Sequence, residues 1–467
     1  MIRILHTADW HLGQTFFGYD RAGEHEVFLN WLAGEIRERE IDALIIAGDV
    51  FDVSNPSAAS QSLYYHFIYR VTAENPTLQI VIVAGNHDSA ARLEAPLPLL
   101  QAMRTEVRGV VRKSDDGEID YDHLTVELKN RDGEVELLCM AVPFLRQGDY
   151  PTVPTEGNPY AEGVRELYTQ LLQRLWKRRK ENQSILAIGH LQAIGSEIAE
   201  KDYSERTVIG GLECVSPDAF SEQIAYTALG HIHKAQRVSG RENVRYAGSP
   251  IPMSFAEKHY HHGVVEVTFD GGCAVDIMRV ECPRLIPLMS VPNGEPASPE
   301  IVLEILKELP VTEGAAPYLE VKVLLDEPEP MLRQEVEEAL ADKNYRLARI
   351  VSTYRNETGN AEKENENWKA YGSPYAGSSD YYVNKSTNVK AIIVLEQSKT
   401  CSIERLKNSR AFLKLYSGMI VNTWRPDFVE RVVDLTKDLI EQVPVYLLKC
   451  TPDYEAVKML KSVLERE

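Results

Sequence analysis

Five short apolar, β-branched runs punctuate the first half of the chain, at residues 2–7, 43–47, 80–84, 185–188 and 224–229, and each gives way at once to polar residues. Runs of this length, most of them closed by glycine, predict buried strands. The polar residues that follow then lie on loops at strand C-terminal ends, where α/β proteins gather their ligands. Between the strands the apolar period changes to that of a helix. Val27, Phe28, Trp31, Leu32 and Ile36 mark one stripe, and Leu63, Tyr64, Phe67, Ile68 and Val71 mark another. The texture then turns β-rich at 124–128, 135–142, 244–247 and 263–269. The pattern predicts an α/β fold, a four-layer sandwich of two sheets flanked by helices, over residues 1–280.

A second unit, 281–360, alternates strand, helix, strand, helix and strand at 285–291, 299–309, 318–325, 331–341 and 345–352. Ser298-Pro299 predicts a helix start, with a capping hydroxyl and proline at the first helical position. This is a small α/β module. Residues 355–369 are then rich in Asn, Glu, Lys and Gly, which is linker composition, and 371–379 read as turns. The tail, 361–467, carries a predicted strand at 389–395, helices at 403–416, 428–443 and 454–464, and a strand at 445–449.

The chain has 467 residues, enough for two or three domains. No apolar run reaches the roughly 18 residues needed to cross a bilayer, so no membrane association is expected. The N-terminus runs into motif residues by Asp9, which argues against a cleaved leader. Six cysteines are scattered without a C-x-x-C pair. That argues against a zinc ribbon or disulfide framework and fits a reducing, cytoplasmic compartment. A net charge of −19 argues against wrapping nucleic acid by counterion release. It leaves a nuclease open, because bound metal ions invert the local field and a partner protein can supply a basic surface.

The chemistry lies at the ends of the five runs, in Asp9-Trp10-His11, Gly48-Asp49-Val50-Phe51-Asp52, Gly85-Asn86-His87-Asp88, Gly189-His190 and Gly230-His231-Ile232-His233. Asp, Asn and His together form a donor set suited to divalent cations such as manganese. Asp9 and His11 reach one ion if strand geometry persists through them. Asp49 can bridge two ions, Asn86 offers a neutral oxygen, and His190, His231 and His233 offer imidazole nitrogens. Two cations held about 3.5–4 Å apart can activate water and hydrolyse a phosphodiester. His87 adjoins Asn86 but points elsewhere, which suits it to protonate the leaving oxygen or to stabilise the transition state. Asp88 is expected to partner His87, and Asp52 to orient a ligand histidine.

Any one of these motifs alone is more often structural than metal-binding. All five, in order and at strand ends, are not reasonably accidental. The remaining histidines read the other way. His6 belongs to the first strand, and His25, His66 and His123 to helix or surface positions. The cluster His259, His261 and His262 has the tight spacing of a surface loop. No histidine follows His262.

These residues resemble the calcineurin-like metallophosphoesterase superfamily. The strings His6-Thr-Ala-Asp-Trp-His-Leu-Gly13, Tyr246-Ala-Gly-Ser-Pro250 and Ser254-Phe255 extend the likeness to the SbcD family of nuclease subunits over residues 1–355. The resemblance implies a manganese-dependent nuclease that works with an SMC-like ATPase, SbcC. It implies ATP-linked 3′→5′ exonuclease action on duplex DNA and cleavage at hairpins and blocked ends, in repair, recombination and replication. It also implies that Asp9, His11, Asp49 and His233 hold one ion, and Asp49, Asn86, His190 and His231 the other. His87 would be catalytic, 281–355 a DNA-capping domain, and a homodimer a further expectation. In the tail, Tyr371-Gly-Ser-Pro-Tyr-Ala-Gly377 and the segment from Asn388 resemble the end of HPr kinase/phosphoenolpyruvate carboxykinase-like proteins. Such a kinase needs a G-x-x-x-x-G-K-[ST] loop. The chain has none, so the tail is not expected to transfer phosphate, and docking of the ATPase does not follow from it.

Two other readings use the same residues. A small-molecule phosphodiesterase or nucleotidase would share the metal site but has no evident need of the 281–355 module. A non-enzymatic scaffold would not need an intact ligand set.

Overall fold

Central strands of a sandwich are covered on both faces, and their sequences show it. The strand at Ala43–Ala47 is buried at all five positions and the one at Ser184–His190 at all seven. The structure, a computed structural model, describes residues 1–155, 157–196, 214–312, 314–325, 329, 331–354, 369–371, 386–398, 401–416, 426–450 and 459. It divides into two units, Met1–Glu357 and Thr358–Glu467.

With strands and helices numbered in chain order, the first six-stranded sheet of the first unit runs β16 (Cys273–Glu281), β15 (Gly263–Asp270), β1 (Ile2–Thr7), β4 (Ala43–Ala47), β5 (Gln79–Val83), β6 (Thr105–Arg108). From β1 to β6 neighbours are parallel, whereas β15 and β16 are antiparallel additions. The second sheet runs β13 (Gln236–Val238), β14 (Arg241–Tyr246), β12 (Tyr226–Gly230), β9 (Ser184–His190), β8 (Val135–Ala141), β7 (Thr125–Lys129). In it β14, β12, β9 and β8 are parallel. Ile4, Ile45, Val81 and Val83 of one sheet meet Cys139, Leu186, Ile188 and Ala228 of the other in a shared core. Helices α1 (Ala22–Glu38) and α2 (Ala58–Glu74) cover the outer face of the first sheet, and α5 (Pro159–Arg178) that of the second. The result is the expected four-layer α/β sandwich.

Three local readings change. On α1 the buried face is Phe28, Leu29, Leu32, Ala33 and Ile36, while Val27 is exposed, so the stripe is rotated by about one residue. Helix α5 lies where no element was expected. Its signals are nonetheless regular, with Asn158 accepting from the backbone N–H groups of Tyr160 and Ala161, Pro159 in the first turn, and Val164, Leu167, Leu171 and Leu175 buried along one face. Strand β16 was also not anticipated. It is an exposed edge whose alternating pattern carries little apolar signal. Short helices α3 (Ala90–Glu94) and α4 (Leu97–Gln101) and the strand pairs β2 (Thr15–Phe16) with β3 (Tyr19–Asp20) and β10 (Gln192–Ala193) with β11 (Cys214–Val215) complete the sandwich.

Residues after the sandwich form a parallel three-stranded sheet, β17 (Leu288–Val291), β18 (Tyr318–Leu325) and β19 (Arg346–Tyr354), with α6 (Pro299–Glu308) and α7 (Leu332–Leu340). Alternation places Leu319, Val321 and Val323 against Val302, Leu306 and Val336. Ser298 does not cap α6 with its side chain; its hydroxyl donates to the Glu300 carboxylate at 2.7 Å instead.

In the second unit β22 (Ile392–Gln397) pairs in parallel with β24 (Val445–Cys450), and β23 (Ser402–Arg405) pairs antiparallel with β24 on its other side. The helix expected from 403 begins only at α8 (Asn408–Tyr416), because the backbone of residues 402–405 is used by the open edge of β24. Helix α9 (Pro426–Gln442) follows, and β20 (Lys369–Tyr371) pairs with β21 (Ser386–Asn388). The expected linker from 355 to 368, the 372–377 part of the tail motif, and all of the 454–464 helix except Met459 lie outside the described residues.

Candidate metal centre

Parallel neighbours in a sheet deliver their C-terminal loops side by side, and here two such sheets face each other. Asp9 and His11 follow β1, Asp49 follows β4, and Asn86 and His87 follow β5. His190 ends β9, and His231 and His233 follow β12. Donors drawn from across more than two hundred residues of sequence thus meet at one rim.

The backbone there departs from strand geometry. Asp9, His11, Asp49 and His231 have φ of 53°, 46°, 50° and 101°, a region costly for residues with a β-carbon. Asp9 and His11 therefore come together through a turn and not by continuation of β1, which ends at Thr7. Cross-loop hydrogen bonds hold the turn: the Asp9 N–H donates to Gly48 O and the His11 N–H to Asp49 O, both at 3.0 Å. The motif glycines have a steric reason. A β-carbon on Gly48 would collide with the His190 ring, and one on Gly85 with the Asp49 carboxylate.

The donors fall into overlapping groups. Ligand-type atoms of Asp9, His11 and His233 lie within 4.8 Å of one another, as do those of Asp9, Asp49 and His190. His190 Nε2 lies 3.3 Å from Asp49 Oδ2 and 3.0 Å from Asn86 Oδ1. His231 Nδ1 is also 3.0 Å from Asn86 Oδ1, and His11 Nε2 is 3.7 Å from Asp49 Oδ2. His11 Nε2 is buried without a hydrogen-bond partner, which is costly unless a ligand satisfies it. Nδ1–H of His190 donates to Ala47 O at 2.8 Å, which leaves Nε2 as the donor atom. Asp52 Oδ1 is 3.2 Å from His11 Nδ1. The donor set fits divalent cations.

Electrostatically the cluster opposes itself. Burial pushes the Asp9 carboxyl up, whereas for Asp49 the burial penalty is outweighed by His190 and His11, which hold it well below the usual carboxylate range. Burial disfavours the charged form of His190, yet Asp49 raises it to about 9. Burial and the neighbouring His190 push His231 down to about 3. A bound cation would replace these mutual compensations.

His87 belongs to the same rim. Its N–H donates to Asp49 Oδ1 at 2.8 Å, its ring Nδ1–H donates to Asp52 O at 2.7 Å, and its ring packs edge-on to His11 with centroids 4.8 Å apart. Asp88 does not partner His87, contrary to expectation. Its buried carboxylate accepts from the N–H groups of Val50, Phe51 and Gly85 at 3.2, 3.0 and 2.9 Å. It thereby ties the loop after β4 to the loop after β5, because the turn directs it into the protein and away from the rim.

The remaining histidines divide. His6 is a core residue bonded to the Tyr226 hydroxyl at 3.0 Å. His25 is buried in α1, and His66 sits exposed on α2. The His123 ring lies 3.5 Å from Glu94. In the last cluster His259 and His261 are exposed, but His262 is buried and its Nδ1–H donates to Ser249 O at 2.9 Å. A fully buried carboxylate completes that corner: Glu257 Oε1 lies 3.1 Å from His233 Nδ1, and Oε2 accepts from Met253 N–H at 2.9 Å. Glu257 was not among the residues expected from sequence. The one available signal was a charged residue just after the mostly apolar stretch Ile251-Pro252-Met253-Ser254-Phe255.

The chain resembles known proteins along most of its length. The calcineurin-like phosphoesterase family matches residues 2–235, and the family described as Type 5 capsule protein repressor C-terminal domain matches 284–370. The SbcD component of the SbcCD nuclease from Rhodobacter capsulatus is 36% identical over 75% of this chain and 87% of its own length. Its Escherichia coli K12 namesake is 33% identical over 70% and 79%. The Bacillus subtilis namesake is 29% identical over 57% and 66%. With a phosphoesterase match over half its length and relatives of this kind along most of it, the chain belongs to the SbcD family of nuclease subunits within the calcineurin-like phosphoesterases.

Proposed function

We propose that this chain is the nuclease component of an SbcCD-type complex, a metal-dependent phosphodiester hydrolase acting on DNA with an SMC-like ATPase. The observation that carries the reading is the convergence of Asp9, His11, Asp49, Asn86, His190, His231 and His233 at one rim. In this reading Asp9, His11, Asp49 and His233 hold one divalent cation, and Asp49, Asn86, His190 and His231 the other. Manganese suits the mixed carboxylate, amide and imidazole set. When bound, the pair supplies positive charge to the phosphodiester and activates water as the nucleophile.

The chain's own groups do the rest. Asp52 and Glu257 orient His11 and His233 through the ring nitrogen that faces away from the centre. His87, held by the carbonyl of Asp52 at Nδ1, presents Nε2 as the proton donor to the leaving oxygen. Asp88 holds the loops that carry Asp49 and Asn86. Duplex ends and hairpins are the proposed substrates, with 3′→5′ polarity. The 281–360 module would cap the site and 361–467 would be an appended tail. Exposed Val27 and Tyr69 on α1 and α2 suit a homodimer surface. No disulfide joins any of the six cysteines, which suits a cytoplasmic complex, and among the described residues no helix is long and apolar enough to cross a membrane.

The test is cleavage of linear duplex DNA and of bis-p-nitrophenyl phosphate by purified chain with Mn²⁺, with and without the ATPase. Both are expected to be cleaved and to be spared after chelation. DNA left intact under every one of these conditions would sink the reading.

A further inference from the structure

The β2–β3 hairpin, whose turn begins six residues beyond His11, is built against local preference. Its two turn residues, Phe17 and Gly18, have φ of 50° and 86°. Two-residue hairpin turns of this kind favour Asn, Asp or Gly at both positions. Phenylalanine is strained there, and the residue is 41% exposed. The ring is nonetheless organised. It contacts Phe16 and Phe255, with centroids 5.0 and 5.6 Å away, and the Arg349 guanidinium lies 5.1 Å from its centre. Arg349 is held from behind by Glu320, to which its Nε–H donates at 2.7 Å.

A pair of lysines continues this surface. Ser290 bonds Glu320 at 3.0 Å, and the Lys258 ammonium lies 3.3 Å from Ser290 Oγ and 3.2 Å from Asn293 Oδ1. Burial and the nearby charge of Lys322 lower Lys258 from the usual lysine value. Among the described residues neither ammonium is in an ion pair within 4.0 Å. In a chain of net charge −19, these neighbouring lysines form a site suited to an anion: Lys322 donates to Gly294 O at 2.7 Å, and the nearby Glu320 carboxylate, which acts on Lys258, is engaged by Arg349 and Ser290. The short 3₁₀ turn Phe255–Glu257 connects this surface to the metal centre. Its Phe255 packs against Phe17, its Glu257 holds His233, and Lys258 follows directly.

We propose that Phe17, backed by Arg349 and flanked by Lys258 and Lys322, is a binding platform for the unpaired end of a DNA strand entering the metal centre. An unstacked terminal base lies on the Phe17 ring, and the lysines take the adjoining phosphates. Stacking on one aromatic ring does not depend on base identity. The platform therefore selects for an end or loop that can open, not for a sequence. This inference rests on the nuclease reading and names how its substrate is held.

The test measures kcat/KM on two substrates with full-length chain and Mn²⁺: an oligonucleotide duplex with a frayed end, and bis-p-nitrophenyl phosphate, which is too small to span the platform. Phe17→Ala is expected to lower the ratio of the two by about tenfold or more, through KM, and Phe17→Trp to restore it. A terminal 2-aminopurine should be quenched by wild type and Phe17→Trp but not by Phe17→Ala. The double variant Lys258→Gln/Lys322→Gln should reduce the slope of log kcat/KM against log salt by about 1 to 2. A ratio within about twofold of wild type in Phe17→Ala, or equal loss in Phe17→Ala and Phe17→Trp, overturns the platform while the nuclease reading stands. If wild type, with and without the ATPase, cleaves the small diester but no DNA, both are overturned.

Discussion

The metal centre and the junction between the sandwich and the three-stranded module are neighbours built by opposite means. At the centre, each donor arrives at a strand end that its own motif shapes. Glycine makes room, a strained turn aims the side chain, and an adjacent residue such as Asp88 fastens one loop to the next. At the junction the contributing residues are scattered along the chain. Arg21 is fully buried; its Nε–H donates to Glu24 at 2.8 Å and its Nη1–H to Pro252 O at 2.7 Å. Tyr318, from the first residue of β18, donates to the same Glu24 at 2.9 Å. Phe16, Phe255, Ile286 and Tyr318 form the small apolar cluster around it. Chemistry is thus encoded locally and repeatedly, whereas the relation of the module to the site depends on single residues whose partners lie far along the chain.

The comparison can be broken at either side. The largest effect belongs to the centre. His87→Ala should lower diester hydrolysis by about a hundred- to ten-thousandfold while Mn²⁺ stoichiometry, read by titration calorimetry, stays unchanged. Loss of metal along with activity would make His87 a ligand-positioning residue and not an acid. Next comes the junction. Arg21→Met leaves Glu24 buried without its cation, and loss of one partner of a buried pair costs about 3–5 kcal/mol. Urea melts should show that loss, and a change below about 1 kcal/mol would mean the junction does not depend on this ion pair.

A third test asks whether stability elsewhere is insulated from both. Glu94 accepts from the Gly109 and Val110 N–H groups at 2.8 and 3.0 Å and pairs with Arg112 and His123. Its burial is outweighed by these partners, which lower its carboxyl to about 2 from 4.5. A depressed folded value stabilises the fold above the unfolded value, and the gain disappears as pH falls from about 4.5 toward 2. Glu94→Gln should remove up to about 3 kcal/mol at pH 7 and flatten that acid limb. Equal acid limbs in both proteins would refute the assignment. The smallest expected effect is Tyr318→Phe, which removes one hydrogen bond and should cost about 1 kcal/mol. If unfolding shifts that little but the oligonucleotide-to-small-diester ratio also changes, the junction contributes to substrate placement as well as to stability.

Legibility followed the same division. The five apolar runs announced β1, β4, β5, β9 and β12 because strands covered on both faces carry continuous apolar sequence. The edge strand β16 and helix α5 passed unseen, the first because much of it faces solvent, the second because charged and polar residues dilute its apolar stripe. Asp88 was misplaced since adjacency in sequence says nothing about direction once the backbone enters a turn. Glu257 was missed because its partner His233 lies 24 residues away.

The amino-acid sequence alone determined the donor types, their order, and their position at strand ends, since each is a short-range property of a motif and the run before it. Tertiary structure alone decided which donors meet, that four of the seven are aimed by positive-φ turns, and that Phe17, Lys258, Lys322 and Arg349 share one surface. Those are long-range facts. They depend on which strands pair and which faces are buried, and only the closed core sets them.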